Sequence, residues 1–162
     1  MKAFWTIANV SDLLLRCVSW IFIPIIVITT SVEVFARYVL HTPLQWAEEV
    51  ITFSLLMVFV GAIPFGIAND LHVKVETLYE EFTSARKQIA DAIGSLCGAL
   101  FFCILAIGAG TEALGLLRRE EYAEMTGLPL WPSATVVCAI ALFCAVSLLI
   151  RAWKSLRIGH VL

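Results

Sequence analysis

The chain has 162 residues, 60% of them hydrophobic and 15% charged, with a formal net charge of −2 and a mean hydropathy of +0.92. A soluble domain averages roughly 45–50% apolar and about 25% charged residues, so the composition excludes an ordinary soluble globule and makes lipid the expected solvent. The net charge alone decides nothing, but there is no basic tract and no aromatic–basic interleaving, which excludes nucleic acid as a partner.

A membrane helix needs roughly 20 mostly apolar residues to cross about 30 Å of hydrocarbon. At the start, Lys2 followed by apolar residues imitates a secretory signal. Asp12 and Arg16 interrupt that stretch, and the run from Cys17 to Val32 exceeds the core of about 7–15 residues that a signal carries. The expectation is a retained first span over about 13–40. Thr42-Pro43-Leu44-Gln45 then reads as a capping box, with Thr42 as N-cap, Pro43 at the first helical position and Gln45 reaching back. This predicts a tight hairpin into a second span over about 44–68. In the next connection Leu78, Phe82, Ala85 and Ile89 recur at steps of four, three and four, with Glu80, Glu81, Arg86 and Lys87 around the rest of the turn. That pattern predicts an amphipathic helix at the cytoplasmic membrane surface over about 76–88, a partly ordered loop being the alternative. A third span is expected over about 89–117 and a fourth over about 131–153. Each should be helical, because backbone in lipid must bond within its own segment unless a barrel closes, and strand-like alternation is absent. The fold class is therefore an all-α integral membrane protein, one membrane domain over residues 1–162 with four transmembrane helices.

Orientation follows from the Lys and Arg in the flanks. Lys2, Arg16, Lys74, Arg86, Lys87, Arg151, Lys154 and Arg157 fall on one side, against Arg37, Arg118 and Arg119 on the other. Eight against three puts both termini and the 69–88 connection in the cytoplasm, and the 41–43 turn and 118–130 loop outside.

Few residues have chemical equipment. Glu33 and Arg37 stand four apart, acid first, in the favourable order for a helical ion pair. Ionisable groups at membrane depth are functional candidates, but this pair lies near the outer end of its span. Trp46-Ala47-Glu48-Glu49 opens the second span, with Trp46 as an interfacial anchor and the acids at the positive end of the helix dipole. Adjacent carboxylates point about 100° apart on a helix, so at least one needs a partner, and Arg37 is the nearest in sequence. Gly94 and Gly98 form a G-x-x-x-G pair, with Ala106 and Gly110 further along. Ala134, Cys138, Ala141 and Ala145 line one face of the fourth span; such small faces let helices approach closely, within the chain or toward another. Glu112 is expected to be solvated. Cys17, Cys97, Cys103, Cys138 and Cys144 lack metal or redox spacing and read as small apolar packing residues. His41, His72 and His160 fall in connections or the tail, which disfavours haem ligation between helices. Phosphate loops, HExxH and a nucleophile with its base are all missing, so an enzyme is not expected and neither is a bound cofactor.

The order of the pieces carries a resemblance. Glu33-Val-Phe-Ala-Arg37-Tyr38, Pro43, Trp46-Ala47-Glu48-Glu49, Gly61-Ala62, His72-Val73-Lys74-Val75-Glu76 and Gly127-Leu128-Pro129-Leu130-Trp131 together resemble the small membrane subunit of tripartite ATP-independent periplasmic (TRAP) transporters, over about residues 12–150. Glu76 stands where that family usually has Asp, which keeps the charge. The resemblance implies a bacterial inner-membrane subunit that binds the large membrane subunit and enlarges its static scaffold. A periplasmic solute-binding protein, in transient contact, would deliver an organic acid, and the large subunit would move it with a sodium gradient. By the same resemblance Trp46, Glu48 and Glu49 would be interface or anchoring residues supported by Glu33 and Arg37. His72 would organise the cytoplasmic loop, and the 118–130 loop would face the arriving binding protein. Sodium coupling would belong to the partner.

The alternatives are a small four-helix proton-coupled multidrug exporter acting as a homodimer, the small subunit of a tricarboxylate tripartite transporter, and an assembly or sensor protein. The exporter needs an acid near mid-membrane in the first span, which Glu33 is too close to the outer end to provide. The Trp46–Glu49 cluster argues against the second. A chain stable and functional without a large subunit would mark the third.

Overall fold

The computed structural model describes the backbone over residues 2–69 and 84–158, and side chains over 9–69 and 89–153. Its elements are α1 (Lys2–Val39), α2 (Gln45–Ala68), α3 (Ser84–Arg119) and α4 (Trp131–Ile158). Each contains a stretch long and apolar enough to cross a membrane: Asn9–Val39, Gln45–Ala68, Ile89–Arg119 and Trp131–Trp153. The four expected spans are therefore present. Asp12 and Arg16, which interrupt the early apolar stretch, pair at 3.0 Å along the exposed side of α1. His72 and most of the expected surface helix lie outside the described residues. From Ser84 the backbone is helical and runs on into α3.

Burial follows helical spacing. In α3 the buried positions Ala92, Ser95, Ala99, Phe102 and Ala106 recur at steps of three and four, and in α4 Ala141, Ala145, Leu148 and Ala152 do the same, with Cys144 buried beside Ala145. These stripes face each other in an antiparallel pair: Gly98 lies against Leu148, and Gly110 against Cys138. Ile67 of α2 joins the same cluster, so α2 packs on α4 as well as on its hairpin partner α1. Gly61 is what lets α1 in: a Cβ there would come within 3.1 Å of Val18. Edge-on stacking of Phe22 and Phe53, centroids 6.3 Å apart, continues the α1–α2 contact toward the turn. The opposite faces carry Ile, Leu, Val, Phe and Trp side chains outward, as a lipid-facing surface requires.

The capping box is not formed. The residue preceding α2 is Leu44, in extended conformation, with no side-chain cap. His41 adopts the left-handed region at φ 55°, which turns the Thr42 N–H back onto the Ala36 carbonyl at 3.1 Å. Thr42 thus closes α1 instead of opening α2. The proline that follows it also pushes Thr42 away from helical geometry.

At its far end α2 is closed by another helix. Arg151 of α4 donates from Nη1 to the Ile67 carbonyl at 3.2 Å, placing a cation on the negative end of the α2 dipole. Arg151 entered the sequence reading only as a topology marker; nothing local signals an acceptor 84 residues away.

Candidate functional site: a clasped, charged bundle end

The 40–44 turn and the 120–130 loop share one end of the bundle, because Glu49 joins them. Its carboxylate accepts the Met125 N–H at 3.0 Å, the Thr126 N–H at 2.8 Å and the Thr126 hydroxyl at 2.7 Å. Two successive backbone N–H groups converging on an anion make a small nest, and the charge makes each bond stronger than a neutral one. The loop is shaped to present them. Glu120 at φ 49° ends α3, and the Glu121 N–H returns to the Leu116 carbonyl. Tyr122 and Pro129 then form a single antiparallel bridge, with Ala123 N–H to Leu128 carbonyl at 2.8 Å. Gly127 at φ 65° makes the turn, in a conformation that L side chains rarely adopt. The 118–130 loop is thus a folded hairpin, largely exposed and pinned to α2 through Glu49.

Glu33 and Arg37 are paired as expected. Glu33 is buried, with 7% of its surface exposed. Its Oε1 meets the Arg37 guanidinium as an ion pair without hydrogen-bond alignment. Arg37 also reaches Glu48 across the helix gap at 3.3 Å. The two acids of the Trp46–Glu49 segment therefore diverge: Glu48 meets Arg37, and Glu49 takes the hairpin. The sequence foresaw a partner for one acid; Met125 and Thr126 were missed because they lie 76 and 77 residues away. Trp46 is partly exposed beside the fully buried Ala47, in keeping with an interfacial position.

The small residues divide. Gly98, Gly110, Ala106, Ala141 and Ala145 serve the internal α3–α4 contact, and Cys138 Sγ lies 3.3 Å from the Ala106 carbonyl. Gly94 does not belong to it, since a Cβ there would meet nothing within 4 Å. The G-x-x-x-G pair is thus not one packing motif, because Gly94 is turned outward. Of the cysteines, Cys144 is buried and Cys103 and Cys138 partly so, but Cys17 and Cys97 are exposed rather than packed between helices. Glu112 is exposed.

Between the start of α2 and the hairpin lies a cleft of about 770 Å³, whose lining includes Glu48, Thr52, Phe53, Leu56, Arg119 and Leu130. Arg119 pairs with Glu121 at 3.4 Å. Among the described residues no His, Cys, Asp or Glu group is arranged to hold a metal ion.

Four apolar helices, polar residues gathered at their ends and a pinned hairpin define a multi-pass membrane protein. The family model for Tripartite ATP-independent periplasmic transporters, DctQ component, matches residues 26–158. The chain belongs to that family and is a small membrane component of a TRAP transporter. No curated protein and no solved structure matches it.

Proposed function

We propose that this chain binds the large TRAP membrane subunit and serves as static scaffold for sodium-driven, binding-protein-dependent uptake of an organic acid. In this reading it holds neither solute nor sodium, performs no catalysis, and sits in the bacterial inner membrane with both termini in the cytoplasm. The solute-binding protein docks transiently at the clasped end.

The observation that carries the reading is how the charges of that end are engaged. Glu33 is held by Arg37, Arg37 by Glu48, and Glu49 by the hairpin. These groups tie helices together, which suits a part that stays still while another moves. The exporter reading needs a free membrane acid, and Glu33 has a cation against it.

The test is extraction of the tagged chain from its native membrane in mild detergent. A stoichiometric large polytopic membrane protein should co-purify. A homodimer without such a protein, repeated across gentle detergents, would overturn the proposal.

A further inference from the structure

The cleft beside Glu49 has a charged mouth and an apolar lower wall, and the level of the membrane surface can be placed against it. Tyr38, Trp46, Tyr122 and Trp131 are all exposed at this end, the arrangement by which aromatic belts mark a membrane–water boundary. Along α2, Phe53 lies seven residues and Leu56 ten residues beyond Trp46. At the helical rise these are about 10 and 15 Å deeper. Both line the cleft, as do Leu128 and Leu130 of the hairpin. The cleft therefore spans the headgroup level and the upper hydrocarbon, a depth that an acyl chain reaches and a peptide arriving from water does not.

We propose that this cleft binds one phospholipid whose headgroup ends in a primary ammonium. Its mouth presents the exposed carboxylates of Glu120 and Glu124, while Glu48 is paired with Arg37 and Glu49 is turned to the hairpin. A primary ammonium donates hydrogen bonds to carboxylates, which a choline cannot. Arg119, also at the mouth, supplies a cation for the lipid phosphate, and its neighbour Glu121 holds it in place. An anionic headgroup without an amine meets an excess of negative charge. The volume of about 770 Å³ is within the range of about 300–1,000 Å³ typical of ligand sites. The site is formed within this chain and stands whether or not the scaffold reading does.

The test places the full chain in lipid nanodiscs with three probes that share a photoactivatable acyl chain and differ in headgroup: phosphatidylethanolamine, phosphatidylcholine and phosphatidylglycerol. After irradiation, labelled peptides are identified by mass spectrometry. The ethanolamine probe should label the segments holding Phe53, Leu56, Leu128 and Leu130. Its labelling should exceed that of the glycerol probe by about five-fold, the factor expected for one charge near a membrane surface. The double variant Glu120→Gln, Glu124→Gln should remove most of this preference, whereas Glu112→Gln, outside the cleft, should keep it. Equal labelling by ethanolamine and choline probes, or labelling no stronger in the cleft than at outward-facing Ile104, would overturn the proposal. The readout uses the chain alone, so absence of a large subunit, which would sink the scaffold reading, leaves it unaffected.

Discussion

Glu49 stands in the first two turns of α2 and accepts three hydrogen bonds from Met125 and Thr126. Hydrogen bonds to a charged group are stronger than neutral ones, so this one side chain accounts for much of the hairpin's attachment. Glu49→Ala should speed hydrogen exchange at the Met125 and Thr126 amides by more than about tenfold, since losing even one such bond is worth that factor. Unchanged exchange would mean that the bridge between Tyr122 and Pro129 holds the hairpin by itself. The need for a partner was legible in two adjacent carboxylates pointing about 100° apart. Which partner was not, because the acceptor and its donors are 76 and 77 residues apart and Met125 contributes only a backbone N–H. Glu33 and Arg37 were readable because a helical i,i+4 pair is local information.

At the level of elements, long apolar runs placed four helices, since in lipid that length leaves no other single-segment solution. What the runs could not reveal is which face each helix turns inward, because the lipid side and the packed side are both apolar. Gly94 and Gly98 illustrate this: one spacing, yet only Gly98 meets a neighbouring helix. Gly61 and Gly66 supply a direct test within one helix. A Cβ at Gly61 would meet the β-branched and therefore stiff Val18 at 3.1–3.3 Å, whereas one at Gly66 meets nothing within 4 Å. Gly61→Ala should destabilise the α1–α2 contact by about 1–3 kcal/mol, the usual range for overpacking. Gly66→Ala should be neutral or slightly stabilising, as Ala favours a helix over Gly by roughly 0.8–1 kcal/mol. Thermal unfolding in detergent would compare them, and equal midpoints would contradict the close approach at Gly61. The missed cap at Thr42 has a related cause, in that the motif is local but the residue was already committed to closing α1 through His41.

For the whole molecule, the proposed orientation puts the hairpin outside. With the native cysteines replaced, Glu124→Cys should react with a membrane-impermeant maleimide added to intact cells after outer-membrane permeabilisation. Protection until the inner membrane is opened would invert the topology. Arg151 and Glu49 also acquire a joint meaning at this scale. One fastens the far end of α2 to α4 through the Ile67 carbonyl, and the other fastens the near end to the hairpin that leads into α4. Both helices run the same way, and the 24 residues of α2 span about 36 Å. A slip of one residue along the axis carries about 1.5 Å of travel and 100° of rotation, enough to release both fastenings together. The α2–α4 pair therefore behaves as a strut with a keyed joint at each end, able to tilt as a unit but resistant to piston and screw motion.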